Sequence, residues 1–296
     1  MSLKNTLKGT GVALITPFTQ NLDVDYNALE KLIDFLIENG VEYLVTLGTT
    51  GETPTLSKEE MIDIVNCTVS KVNNRVPVVV GIGGNNTMEI LRNLESFPLD
   101  KAVAVLSSSP NYNKPSQEGI FQHYKKIADA SPKPVILYNV PGRTGSNITA
   151  DTTIRIAREC SNVAGIKEAS GNMVQCVHII KNVPEEFIVV SGDDHLALPL
   201  IACGMQGVIS VVANSFPKDF SDLIRYALSM KFAEAGKLQN KLLEAIDLLF
   251  AENNPAGVKC FLAEMGMIEN TLRLPLVPLS SNFHNKVKAF LSSMQV

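Results

Sequence analysis

A lysine at the end of an apolar run carries the most distinctive chemistry in this sequence. In Val163-Ala164-Gly165-Ile166-Lys167-Glu168-Ala169-Ser170 the amine of Lys167 follows a β-type stretch. Burial there disfavours the ammonium, lowers its pKa and yields a nucleophile able to attack a carbonyl at neutral pH. Such an amine forms a Schiff base; standing alone, it would as readily snorkel to water. Three further stretches carry polar groups that could serve it. In Gly48-Thr49-Thr50-Gly51-Glu52 the glycines permit a tight turn, and two hydroxyls with free backbone N–H groups could hold a carboxylate or phosphate, although turn chemistry alone explains the same residues. The second is Ser108-Ser109-Pro110-Asn111-Tyr112-Asn113-Lys114-Pro115, and the third Tyr138-Asn139-Val140-Pro141-Gly142-Arg143-Thr144-Gly145. Tyr138 lies within an apolar run, where its hydroxyl needs a partner, and Arg143 follows a Pro-Gly turn suited to clamping a carboxylate. A core tyrosine and a solvated arginine would fit the same spacing.

Other chemistries find less support. Gly81-Ile82-Gly83-Gly84-Asn85-Asn86 falls one glycine short of a dinucleotide fingerprint, and no Walker A, H-E-x-x-H or G-x-S-x-G pattern occurs. Asp193-Asp194-His195 offers three metal donors, but adjacent side chains diverge, so helix capping is the preferred reading and no metal is expected. His123, His178 and His284 read as structural or surface residues. Cys67, Cys160, Cys176, Cys203 and Cys260 are odd in number and lack a C-x-x-C spacing, which fits reduced thiols acting as buried small hydrophobes. The 26 Lys+Arg against 30 Asp+Glu give a net charge of −4 with no basic run, so neither a nucleic acid nor an anionic membrane finds an electrostatic footprint. No apolar stretch approaches the roughly 18 to 20 residues that span a bilayer, and the start Met1-Ser2-Leu3-Lys4-Asn5 lacks the apolar region of a secretory signal. A cytoplasmic protein with small-molecule partners is the expectation.

The elements that must position these residues alternate. Apolar runs rich in Val and Ile at 12–16, 43–47, 76–82, 103–106, 135–140, 163–167, 187–191 and 208–212 read as parallel strands covered on both faces. Amphipathic segments separate them. The clearest is 25–39, with Asp25 as N-cap, Leu29, Leu32, Ile33, Leu36 and Ile37 on one stripe and Gly40 at its end. Ser57-Lys58-Glu59-Glu60 is a capping box, and further helices begin near Ser116 and Asp194. Strand–helix units with short connections predict a (β/α)8 TIM barrel over residues 1–230, the alternation running from about residue 8; a doubly wound sheet is the rival. From about residue 231 the alternation stops, and 232–250, 256–265 and 282–294 read as a C-terminal helical extension, 231–296, with no second independent domain.

Taken together these motifs resemble those of the dihydrodipicolinate synthase family. The likeness includes Tyr112 ahead of Pro115-Ser116-Gln117-Glu118-Gly119, Ser191-Gly192-Asp193-Asp194, Gly207-Val208-Ile209-Ser210 and Leu272-Arg273-Leu274-Pro275, and it covers nearly the whole chain. The resemblance implies a homotetrameric barrel enzyme that condenses pyruvate with L-aspartate 4-semialdehyde on the route to lysine and diaminopimelate, without a cofactor. It implies that Lys167 forms an imine with pyruvate and that Thr49, Tyr138 and Tyr112 relay protons, Tyr112 entering from a neighbouring subunit. Thr50 would hold pyruvate's carboxylate, Arg143 would clamp that of the semialdehyde, and the Ile209 carbonyl and Gly192 would edge the site. The chain departs from lysine-regulated members in carrying Met61 and Asn111 where their allosteric pocket has a histidine and a tyrosine, while Asn85 and Glu89 match it, so weak lysine feedback is implied. Related pyruvate aldolases acting on N-acetylneuraminate or 2-keto-3-deoxy sugar acids share the lysine, the tyrosine and the Gly-x-Thr-Gly-Glu loop. Arg143 separates the two readings, because a sugar acid needs no carboxylate clamp there. A catalytically idle barrel would have little reason to keep Lys167, Tyr138, Thr49 and Tyr112 together.

Overall fold

Strands β1 (Gly9–Ala13), β2 (Tyr43–Thr46), β3 (Val78–Gly81), β4 (Ala104–Ser108), β5 (Val135–Asn139), β6 (Val163–Glu168), β7 (Ile188–Ser191) and β8 (Gly207–Ser210) pair in chain order in a computed structural model that describes residues 3–294. All are parallel, and β8 closes on β1 through Gly9 opposite Gly207. The expected TIM barrel is therefore the observed fold, and closure excludes the doubly wound sheet. Met1, Ser2, Gln295 and Val296 lie outside the described residues. A short α1 (Leu3–Thr6) precedes the barrel. Around it run α2 (Tyr26–Glu38), α3 (Lys58–Val72), α4 (Thr87–Ser96), α5 (Gln117–Ala130), α6 (Pro141–Thr144), α7 (Ala150–Glu159), α8 (Met173–Asn182), α9 (Ala197–Ala202) and α10 (Pro217–Leu228).

Local sequence explains the helix starts. Asp25 accepts the Ala28 N–H at 2.9 Å and Gly40 follows the helix end at φ +84°, as the residue types require. Ser57 and Glu60 exchange both hydrogen bonds of the capping box. The amphipathic face of α2 buries Leu29, Leu32, Ile33 and Leu36 against the barrel, each stabilising the fold by about 1.5–3 kcal/mol.

The first strand begins three residues before the apolar run that announced it. Its Gly9-Thr10-Gly11 start has low strand propensity, yet a Cβ on Gly11 would stand 2.2 Å from the Tyr43 ring, so only glycine leaves room for that inward side chain. Tertiary packing overrides propensity there. Strand residues alternate between two cores. Tyr43, Val45, Val79, Ile136, Val190 and Ile209 fill the lumen, whereas Leu44, Val80, Leu137, Ile166 and Val189 face the helices. The cysteines divide: Cys160, Cys176 and Cys260 are buried as expected, but Cys67 is only half-buried and Cys203 is exposed, its position at the end of α9 turning it outward.

After β8 the chain continues into α11 (Phe232–Phe250), α12 (Ala256–Glu264) and α13 (Ser281–Met294). Phe216, Phe261 and Phe290 meet edge to face at 5.6–6.0 Å, seating α12 and α13 against the segment that leaves β8. The loop between α11 and α12 thereby reaches the C-terminal mouth of the barrel.

Candidate active site

Period-two alternation sends every second residue of β5 and β6 into the lumen. On β6 it points Lys167 inward and leaves Glu168 facing the helices, and the register sets Lys167 directly beside Tyr138 of β5. Lys167 is 5% exposed, and its Nζ lies 4.3 Å from the centroid of the Tyr138 ring. Room for the lysine comes from Gly192: a Cβ there would stand 2.8 Å from Lys167 Cε and 3.1 Å from its Cγ. A side chain at that position would displace the amine.

Behind the sheet, Glu168 is 1% exposed. Its carboxylate accepts Asn139 Nδ2 at 2.9 Å, the Ser170 N–H at 2.7 Å and Gln175 Nε2 at 3.2 Å. Asn139 and Glu168 are the register pair next to Tyr138 and Lys167. This network therefore ties the two strands together one residue beyond Lys167 and Tyr138.

The loop after β2 is bent to a fixed shape. Leu47 at φ +55° and Glu52 at φ +54° bracket Gly48 and the 3₁₀ turn Thr49–Gly51, each left-handed non-glycine residue costing about 1–2 kcal/mol. Gly81 permits the first bend, since a Cβ on it would lie 2.2 Å from the Leu47 carbonyl oxygen. Glu52 secures the second: its buried carboxylate pairs with Lys259 of α12 and accepts the Arg273 N–H at 3.1 Å. Lys259 is fully buried, donates to the Thr271 carbonyl at 2.9 Å and lies 4.1 Å from the Phe18 ring centroid. Burial pulls its amine down to about 8, with the Glu52 carboxylate opposing that shift.

These elements enclose a cavity of about 680 Å³ at the C-terminal end of the barrel, lined by Thr49, Thr50, Tyr138, Arg143, Lys167 and Gly192 among others. The predicted residues that the fold brings together are thus those six. Ile209 is buried in the lumen on β8, and Val211 takes the adjoining wall. Tyr112 stands apart: it is 88% exposed, at φ +68°, with its N–H donating to the Thr144 carbonyl at 3.2 Å. Asn85, Glu89 and Asn111 are exposed beside it, Asn85 Nδ2 reaching the Asn111 carbonyl at 3.5 Å, whereas Met61 is half-buried on α3 against the outer core.

The Asp193-Asp194-His195 reading needs correction. Leu196 is the N-cap of α9 and has no side-chain cap bond. Asp193 accepts the His195 N–H at 3.0 Å within its own turn, while buried Asp194 reaches across to accept the Val211 and Val212 N–H groups at 3.0 and 2.9 Å. Desolvation outweighs those bonds and raises the Asp194 carboxyl above the usual range. His195 lies at the cavity rim, Nε2 2.8 Å from Asp247 of α11. Among the described residues no cluster of three or more His, Cys, Asp or Glu is arranged to hold a metal.

Sequence reading missed three contributors: Asn254, the Glu52–Lys259 pair and the Glu168 network. Lys259 had a signal, because the residues of α12 before its terminal Glu264 are otherwise Ala, Gly, Val, Cys, Phe and Leu, and a lysine in a stretch apolar all round requires a buried partner. Asn254 had none beyond an Asn-Pro step in a loop. Its Nδ2 donates to Thr50 Oγ1 at 2.9 Å, and its carbonyl accepts Arg143 at 3.3 Å.

Comparison with known proteins gives one answer. Residues 6–294 match the model of the dihydrodipicolinate synthetase family. The chain is 51% identical over 290 residues to the 4-hydroxy-tetrahydrodipicolinate synthase of Parabacteroides distasonis, covering 98% of both. The dihydrodipicolinate synthase structure from Aquifex aeolicus superposes with a TM-score of 0.95 at 39% identity, covering 98% of each chain. That of the chloride-inhibited enzyme from Acinetobacter baumannii, complexed with pyruvate, also scores 0.95 at 40% identity, covering 98% of this chain and all, 100%, of that one.

Proposed function

The chain belongs to the dihydrodipicolinate synthetase family, and on that premise we propose that Lys167 is the residue through which it works. It is a 4-hydroxy-tetrahydrodipicolinate-forming enzyme that condenses pyruvate with L-aspartate 4-semialdehyde. The observation that carries the site assignment is the buried Lys167 amine, set over Tyr138 and cleared by Gly192, at the floor of the cavity. That the Acinetobacter relative is complexed with pyruvate supports pyruvate as the first substrate.

In the proposed sequence the Lys167 amine adds to the keto carbon of pyruvate and water leaves, giving an imine. Loss of a methyl proton forms the enamine, whose carbon adds to the aldehyde carbon of the second substrate, and the resulting alkoxide takes up a proton. The amine of the semialdehyde half then adds to the imine carbon, closing the ring and releasing Lys167. The imine supplies the electron sink, so no cofactor is invoked. Thr49, Tyr138 and Tyr112 carry the protons; Thr50 holds pyruvate's carboxylate; Arg143, with its planar fork, holds that of the semialdehyde. Ile209 and Gly192 close the edge. An exposed Tyr112 fits a residue that completes the cavity of a neighbouring subunit, and we assign the working form as a homotetramer in the cytoplasm. No described helix is long and apolar enough to cross a membrane. We count 231–296 as part of the site and not as a separate domain, since its loop touches both carboxylate-binding residues. The sugar-acid reading is not favoured: the family match is to the synthase, and Arg143 stands at the cavity.

Incubation with pyruvate and borohydride followed by intact-mass measurement and adduct mapping tests the assignment. Modification of Lys167, lost in Lys167→Ala, is expected; an unmodified protein or an adduct elsewhere would overturn it. Met61 and Asn111 lead us to propose weak lysine feedback, which strong inhibition by sub-millimolar lysine in a steady-state assay would refute.

A further inference from the structure

We propose that Asn254, in the loop between α11 and α12, is a positioning residue whose side chain orients Thr50 and whose backbone carbonyl holds Arg143. This rests on the roles given above to Thr50 and Arg143. Asn254 is 4% exposed and lines the cavity. Its side-chain amide donates to Thr50 Oγ1 at 2.9 Å, and its backbone carbonyl accepts from Arg143 at 3.3 Å. These are two contacts from one residue to two groups that follow β2 and β5, three strands apart in the barrel.

The direction of the first bond matters. A threonine hydroxyl has one hydrogen to give and lone pairs to receive. With an amide N–H already on its oxygen, Thr50 is an acceptor toward Asn254, and its own hydrogen, which has no acceptor assigned among the described residues, is left for an anion in the cavity. Without Asn254 the hydroxyl can rotate, and it then spends part of its time pointing away from pyruvate. The second bond acts on a long side chain: Arg143 is exposed on the four-residue α6, and the Asn254 carbonyl holds one of its N–H groups while the others stay free for a planar carboxylate. The Asn254 Oδ1 is buried without a hydrogen-bond partner in the protein. An amide kept at that cost for one donated bond is better explained by what that bond orients than by packing.

The test compares wild type with Asn254→Ala, Asn254→Asp, Thr50→Val and the Thr50→Val/Asn254→Ala double variant, using pyruvate half-saturation of borohydride trapping and steady-state KM for each substrate. A hydrogen bond to a charged group governs affinity by about tenfold, so Asn254→Ala is expected to raise both pyruvate measures about tenfold. Its kcat at saturation should stay within about threefold, because Lys167 and Tyr138 are untouched. Asn254→Asp, which keeps the shape but replaces the donor with an acceptor, should impair pyruvate at least as much. In the double variant the Asn254 change should add nothing to the pyruvate effect of Thr50→Val. Unchanged pyruvate half-saturation in both Asn254 variants, or losses that simply multiply in the double variant, would overturn the proposal. A Thr50→Val enzyme that binds pyruvate normally would instead overturn the role given to Thr50, and the positioning role of Asn254 with it. Melting curves that match wild type for Asn254→Asp separate positioning from unfolding.

Discussion

Replacing Lys259 with methionine should uncouple the loop after β2 from the C-terminal helices. The lysine is fully buried, and Glu52 is 1% exposed. In Lys259→Met the carboxylate keeps the Arg273 N–H but loses its cation, and breaking one side of a buried pair costs about 3–5 kcal/mol. Against a stability of about 5–15 kcal/mol that is a large fraction. At about 2–4 °C per kcal/mol for chains approaching this size, Tm should fall by about 10 °C. Removing the charge from both partners separates Coulomb loss from packing. Glu52→Gln/Lys259→Met should recover most of the stability, to within about 1 kcal/mol of wild type, because neither residue then needs a partner of opposite sign. Yet the double variant should still bind pyruvate more weakly, since Glu52 at φ +54° ends the turn that presents Thr49 and Thr50. Denaturant titration gives the stabilities, and trapping with pyruvate and borohydride gives the binding. A single variant as stable as wild type, or a double variant no better than the single, would refute the reasoning.

Two other outcomes follow from the geometry. Gly192→Ala places a methyl group 2.8 Å from Lys167 Cε, so kcat should fall about 10- to 100-fold while the fold, followed by circular dichroism, persists; full activity would show that the lysine has room it does not need. Burial lowers the His123 imidazole to about 4 from its ordinary 6.5, so the folded protein holds it neutral while the unfolded chain protonates it as pH drops below 6.5. Stability is therefore intact above that value and declines as pH falls toward 4, by about 2 kcal/mol between pH 7 and 5 from this residue alone. Equilibrium unfolding at the two pH values should show a correspondingly smaller loss in His123→Gln, and identical losses would remove the histidine from the account.

What could be read in advance was whatever a local pattern encodes. A lysine ending the apolar run 163–167 is anomalous on its own strand, and strand periodicity alone turns it and Tyr138 into the same lumen. Apolar runs located the strands because parallel strands are covered on both faces, and they failed at Gly9-Thr10-Gly11, where the reason for the residues is the Tyr43 ring on the next strand. The partnership of Thr50 with Asn254 spans 204 positions in the chain, and that of Glu52 with Lys259 joins a turn to a helix of another layer. No spacing rule sees across such distances. Asp194 failed for the same reason: its acceptors suited a cap, but its donors came from the far side of β8.

The lumen beneath Lys167 is filled by Tyr43, Val45, Val79, Ile136 and Val190, a packed plug and not a pore. That plug closes the lower end of the cavity, so on the function proposed above traffic through it forms a queue. Whatever bonds to Lys167 at the bottom has to enter first, the second reactant stands between it and the solvent, and the expelled water and finished ring leave by the path the reactants used. Residues at the rim, such as His195 with Asp247 behind it, therefore meet arrivals and departures, and substitutions there should be felt in how fast the cavity fills and empties even though the proposed chemistry lies below them.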